Sequence, residues 1–316
     1  MEFRTELDPV AEPHGGIDYH SKIVLLGSCF AENIGDKLAY FKFQFLQNPF
    51  GVLFHPKALE NCILNAINKK VYDASDLIKS QGLWCSYDAH SRLNDPDQEK
   101  VLQHLNRAVN ELHEGLKTAS HLVISLGTAW AYRHTSLDRL VANCHKVPQR
   151  EFLKELSSVD SISESLDGII QLVKSINQEV RIVFTVSPVR HLKDGFTENN
   201  RSKSHLLAAV HQLVEPRHKV HYFPSYEYLL DDLRDYRFYK EDMIHPNDIA
   251  VDYIWKKFVS TWLSPSVSEV MKTVDQIQKG SAHKPFHADS KEHMRFLEVL
   301  DEKKQSLMQQ YPHMRF

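Results

Sequence analysis

The stretch Leu25-Leu26-Gly27-Ser28-Cys29-Phe30-Ala31-Glu32-Asn33-Ile34-Gly35 decides the fold. The apolar run Ile23-Val24-Leu25-Leu26 stops at a glycine, a small polar residue follows, and Ile34, Leu38 and Phe41 then recur at helical spacing. That order predicts a strand, a tight turn and a helix, with the Ser28 hydroxyl at the carboxyl end of the strand, where open α/β sheets bind ligands. It also sets Ser28 at a helix N-terminus, whose free N–H groups can stabilise a developing oxyanion. The bland alternative is that Ser28 only caps the helix, a role serine favours.

Working outward, three further runs resemble the first: Leu122-Val123-Ile124-Ser125-Leu126, Ile182-Val183-Phe184-Thr185-Val186 and Val220-His221-Tyr222-Phe223. Their continuous hydrophobicity predicts strands buried on both faces of a parallel sheet. Between them lie periodic helical segments. One starts at Asp95-Pro96 and carries Leu102, Leu105, Val109, Leu112 and Leu116; one starts at the capping box Ser161-Ile162-Ser163-Glu164; a third carries Leu206, Leu207, Val210 and Leu213 and closes before Pro216. Strand and helix in alternation predict an α/β fold, a three-layer α/β/α sandwich around a central parallel sheet. After Trp262 the strands end. Ser264-Pro265 opens a helix that Gly280 ends, and a charged segment from about Asp289 to Gln310 forms one more. Residues 1–263 are therefore expected to form the α/β domain and 264–316 a helical extension.

The 316 residues are 42% hydrophobic and 25% charged, an ordinary globular composition that excludes disordered and collagen-like classes. Lys plus Arg number 38 against 41 Asp plus Glu, a net charge of −3, so no broad basic surface awaits a nucleic acid and none is expected as a partner. The four cysteines, Cys29, Cys62, Cys85 and Cys144, show no C-x-x-C pair or framework spacing, which suits a reducing cytoplasm. The start Met1-Glu2-Phe3-Arg4-Thr5-Glu6-Leu7-Asp8 is polar where a signal peptide would be apolar, and no apolar run approaches membrane-spanning length. Nineteen histidines are the compositional oddity. They show no metal-ligand spacing, so no metal and no cofactor is expected.

The second chemical segment is Lys240-Glu241-Asp242-Met243-Ile244-His245-Pro246-Asn247. Asp242 and His245, three apart, can face the same way on a turn, so the carboxylate can hold one imidazole nitrogen while the other points at a hydroxyl. A surface helix cap beside a solvated histidine is the alternative. With Ser28 they give nucleophile, acid and base in the chain order of α/β hydrolases. Arg190, just past the strand ending at Ser187, is a candidate for gripping a substrate carboxylate or phosphate, or else a solvated loop residue.

Gly27-Ser28-Cys29-Phe30-Ala31 resembles the signature of the GSCFA family, a group of mainly bacterial proteins akin to the SGNH/GDSL hydrolases. Asn48-Pro49-Phe50-Gly51, Leu126-Gly127-Thr128-Ala129-Trp130, Asn143-Cys144-His145-Lys146, Ser187-Pro188-Val189 and Leu233-Arg234-Asp235-Tyr236-Arg237-Phe238-Tyr239 fit the same pattern, over roughly residues 20 to 262. The resemblance implies a flavodoxin-like fold, with Ser28 as nucleophile, His245 as general base and Asp242 as its orienter. It further implies oxyanion donors at the Ser28 and Gly51 N–H groups. The third donor of that superfamily is an asparagine two residues after a strand-end glycine; here the glycine is Gly127 and the position holds Ala129. Asn143, which shares a polar segment with His145, is the candidate substitute, with Asn48 as runner-up; Asn143 can equally be a turn residue.

The expected activity is serine-dependent ester hydrolysis through an acyl-enzyme, on a small-molecule or glycan ester. An O-acyltransferase using the same triad is one alternative. A noncatalytic glycan-binding protein that kept the fold is another, suggested by Ala129.

Overall fold

The computed structural model describes residues 5–8, 16–283, 286–287 and 290–316. Met1 to Arg4 of the polar start, and Asp289 at the expected opening of the last helix, lie outside the described residues. In chain order the elements are β1 (Lys22–Gly27), α1 (Cys29–Tyr40), β2 (Gln44–Gln47), α2 (Pro56–Ile67), β3 (Ile78–Ser80), β4 (Leu83–Cys85), α3 (Gln98–Thr118), β5 (His121–Leu126), β6 (Trp130–His134), β7 (Arg139–Val141), β8 (Phe152–Leu156) and α4 (Val159–Ile176). There follow β9 (Arg181–Val186), α5 (Gly195–Leu213), β10 (Val220–Tyr222), the single turn α6 (Ser225–Glu227), a π-helical turn over Tyr228–Asp232, α7 (Asp248–Trp262), α8 (Ser268–Ala282) and α9 (Lys291–Gln310).

The central sheet is parallel throughout, in the order β10-β9-β5-β1-β2. Chain direction across the sheet therefore reverses between β1 and β5, and that junction is the ligand-binding switch point of an open α/β sheet. Alternate residues of each strand feed two cores. Val24, Leu26, Leu122, Ile124, Ile182 and Phe184 pack under α2 to α5, while Ile23, Leu25, Val123 and Val183 pack under α1, α7 and the tail helices. This is a three-layer α/β/α sandwich, and all six residues of β5 are buried, as its unbroken apolar run predicts.

The tail shares the second core. Val274 and Ile277 of α8, Leu300 and Leu307 of α9, and Met314 join Ile34, Leu38 and Trp255 in one cluster. Gly280 lies inside α8 rather than ending it, because a Cβ there would meet Leu300 Cδ1 at 2.8 Å: the glycine serves the close approach of α8 and α9.

Two helix starts differ from expectation for one reason, a better cap nearby. α3 begins after Asp97, which accepts from the Glu99 N–H, leaving Asp95 to pair with Trp84 through the backbone. α4 begins after Ser158, which accepts from the Ser161 N–H. The structure also adds an edge strand, β2, a short β3–β4 hairpin and a three-stranded antiparallel sheet, β7-β6-β8, that the search for apolar runs passed over. Among the described residues no helix is long and apolar enough to cross a membrane.

Candidate functional site

Gly27 closes β1 with φ +125°, and a Cβ there would fall 2.1 Å from the Ser125 carbonyl oxygen, so no other residue makes this turn without moving β5. The turn delivers Ser28 to the N-cap of α1, where its Oγ accepts from the Phe30 N–H and shares a 2.7 Å hydrogen bond with Ser125 Oγ on β5. Both expected roles, helix cap and switch-point hydroxyl, thus fall on one atom. Ser28 is only 3% exposed. Its N–H donates to Ser125 O in the β1–β5 ladder at 2.9 Å, so in this structure that donor is already occupied.

Gly51 is similar. Its N–H donates to Asn48 O at 2.8 Å, and with φ at +77° and His90 Cβ 2.4 Å from where a Cβ would stand, any side chain there would clash. Asn48 is 2% exposed and also has a positive φ of 42°. Its Oδ1 accepts from the Gly27 N–H at 2.9 Å, its N–H donates to Leu25 O, and its carbonyl also receives Arg92 Nη2. Its Nδ2 is buried without a partner, one of a few such atoms among the described residues, and it belongs to the side chain bound to Gly27, the residue before the nucleophile candidate. Such a group usually has a partner, and its lack of one calls for a functional reason.

The Asp242–His245 turn is built as the spacing predicts. Asp242 Oδ1 accepts from the Ile244 and His245 N–H groups at 2.9 and 3.0 Å, and Oδ2 accepts from His245 Nδ1 at 2.7 Å. These donors, the His245 N–H foremost, hold the Asp242 carboxyl well below the usual carboxylate range. With its proton on Nδ1, the ring presents Nε2 as an acceptor. The pair is open to solvent, with His245 41% and Asp242 44% exposed.

Arg190 lies against the turn that carries His245. Its N–H donates to Ile244 O and its Nη1 to Met243 O, while its guanidinium lies 4.0 Å from the Tyr239 ring centroid and within 5.5 Å of those of Tyr236 and Phe196. It therefore grips the turn that carries His245, including Met243 in its left-handed conformation at φ 55°. His145 and Asn143 are likewise engaged. His145 Nε2 donates to Ser86 O at 2.7 Å and Nδ1 faces Asn94 Nδ2, and Asn143 Oδ1 receives the His145 N–H. Both brace the loop that runs from β4 to α3, and burial lowers the His145 pKa.

The structure adds Lys203 and Ser202, which the sequence pattern does not single out, and places His191 beside them. Lys203 of α5, 1% exposed, donates from Nζ to Gly127 O at 2.6 Å and Ser187 O at 2.7 Å, tying together the carboxyl ends of β5 and β9. Its neighbour Ser202 receives the Ala129 N–H at 2.7 Å. Desolvation lowers the Lys203 pKa to about 7. His191 Nε2 stands 3.1 Å from where a Gly127 Cβ would be, and burial, with the charges of Lys203 and His245, holds it at about 4. The available signals were a polar Ser125 inside an apolar strand and a lysine on the apolar side of a helix, both easily passed over as ordinary. Among the described residues no group of three or more His, Cys, Asp or Glu side chains is placed to hold a metal ion.

No curated protein matches the chain. Among solved structures it is similar to a carbohydrate esterase family 3 protein from Talaromyces cellulolyticus, at 10% identity and a TM-score of 0.37 over 80% of this chain and 98% of that one. It is also similar to an acetyl esterase mutant with an acetate ion, at 11% identity and a TM-score of 0.36 over 80% of this chain and 99% of the other. Family models are more specific. One described as the C-terminal domain of GSCFA domain proteins matches residues 274–316. A second, described as the GSCFA family, matches residues 22–258, and the chain belongs to that family.

Proposed function

We propose that the protein is a serine-dependent ester hydrolase of SGNH type that works through an acyl-enzyme. The observation that carries this reading is a buried Ser28 hydroxyl at the β1–β5 switch point, with an aspartate-oriented His245 held beyond the carboxyl edge of β9 by Arg190. In the reaction Ser28 Oγ leaves Ser125, gives its proton to His245 Nε2 and bonds to the acyl carbon; the His245 proton then goes to the leaving alcohol. Water, deprotonated by His245, attacks the acyl carbon and releases the acid and free Ser28. Asp242 stabilises the imidazolium and fixes its tautomer.

The oxyanion needs donors, and Asn48 Nδ2 suits that role better than Asn143. It is buried, unpartnered, and on a side chain that already binds the Gly27 N–H, whereas Asn143 binds the loop around His145. The Ser28 and Gly51 N–H groups would have to exchange their present carbonyl partners to join it.

Those occupied donors favour a second reading, a noncatalytic binding protein that kept the fold. A fluorophosphonate probe separates the two. Covalent labelling of the folded chain that is lost in Ser28→Ala supports the hydrolase; labelling that survives the substitution overturns Ser28 as nucleophile, and absence of labelling favours the binding protein. An O-acyltransferase would label as well, and transfer to a sugar hydroxyl in competition with water identifies it.

A further inference from the structure

Arg190 also borders a cavity of about 460 Å³, lined by Arg190, Tyr226, Asp231, Arg234, Tyr236 and Tyr239 among others. Its size falls within the roughly 300–1,000 Å³ of small-ligand sites. Its floor is the π-helical turn Tyr228–Asp232, a rare conformation that recurs at functional sites.

The lining carries a specific chemistry. Among the described residues the hydroxyls of Tyr226, Tyr236 and Tyr239 have no hydrogen-bond partner, and Arg190, Arg234 and Asp231 make no ion pair, while Asp235 pairs with Arg237. Tyrosine hydroxyls both donate and accept, arginine only donates and a carboxylate only accepts. The lining sets two guanidiniums, Arg190 and Arg234, against two carboxylates, Asp231 and Asp235, and so has no net charge to attract a phosphate or carboxylate. Tyr236, 58% exposed, offers a broad ring surface at the rim. Flat apolar faces beside mixed donors and acceptors, with no excess charge, match an uncharged ligand with a C–H face and many hydroxyls.

We propose that this cavity binds an uncharged sugar chain, one ring resting on Tyr236 and its hydroxyls meeting Asp231, Arg234 and the tyrosine hydroxyls. Through Arg190, the bound chain touches the residue that holds the His245 turn. In the ester-hydrolase reading, on which only this consequence rests, the cavity is the subsite that seats the carbohydrate portion of a glycan ester.

The test is calorimetric titration of the full chain, and of Ser28→Ala, with uncharged tetrasaccharides of glucose, xylose, mannose and N-acetylglucosamine, and with tetragalacturonate as an anionic counterpart. At least one uncharged chain is expected to bind, equally well to Ser28→Ala. Tyr236→Ala and Asp231→Ala should each weaken that binding tenfold or more, and Tyr236→Phe by less than threefold because the ring remains. Tyr236 and Asp231 are both exposed, and circular dichroism checks that the variants are folded. The proposal is overturned if none of the uncharged chains binds, if binding survives Tyr236→Ala, or if tetragalacturonate binds more tightly than they do. Because Ser28→Ala binds without turning over, a missing esterase activity would leave this result standing, and a missing sugar affinity would leave the esterase reading standing.

Discussion

Ser28 and His245 rest on opposite kinds of support. Ser28 is 3% exposed, placed by a glycine turn that admits no Cβ and pinned between two strands. His245 is 41% exposed on a surface turn, and its position depends on Asp242 from within and Arg190 from outside. The serine half inherits its precision from the sheet. The histidine half obtains it from a few side chains, so substitutions there should alter rate well before they alter stability.

Four measurements sharpen that contrast. His245→Ala should lower kcat for a small acetyl ester by about 10⁴-fold or more, with little change in Tm, since an exposed ring contributes little packing. Asn48→Asp keeps the acceptor for the Gly27 N–H and removes the Nδ2 donor, and kcat should fall by about 10²- to 10³-fold with a smaller change in KM. An equal loss in Asn143→Ala would return the oxyanion role to that residue. Arg190→Ala should lower kcat about tenfold with KM for a small ester nearly unchanged, and Arg190→Lys should recover only part, because an ammonium cannot both stack on Tyr239 and reach Met243 O.

The smallest effect on rate concerns the buried side. His55, 7% exposed and hydrogen-bonded to Ser157 and the Lys57 N–H, is kept neutral by burial with a pKa of about 4. Unfolding raises that pKa toward the ordinary histidine value near 6.5, so the unfolded chain binds the extra proton between pH 6.5 and 4. Stability should therefore fall as pH drops through that window, by up to on the order of 3 kcal/mol, and this acid slope should flatten in His55→Gln when urea midpoints are compared.

How much was legible follows the same division. The strands β1, β5, β9 and β10 announced themselves because both faces are buried, which leaves an unbroken apolar run. β2 escaped because Gln44 and Gln47 bracket two apolar residues at a sheet edge, and β6 because Trp130 and Tyr132 alternate with Ala131 and Arg133 in a half-exposed sheet. The period-2 pattern was there to be read. At the site, the Asp242–His245 spacing was legible because a local turn makes the contact. The grip of Arg190 on that turn, the unpartnered amide of Asn48 and the strand tie of Lys203 join residues 16 to 76 positions apart, and one-dimensional spacing carries no signal for them.

The tie that α5 makes at the end of β5 also limits how this protein can change. Ala129 is fully buried, its N–H held by Ser202 and the Gly127 carbonyl by Lys203. An asparagine placed there would have to fit at a fully buried position, a change that typically costs about 1–3 kcal/mol in overpacking. An amide donor at position 129 would thus carry a packing cost that the amide of Asn48, already in place, does not.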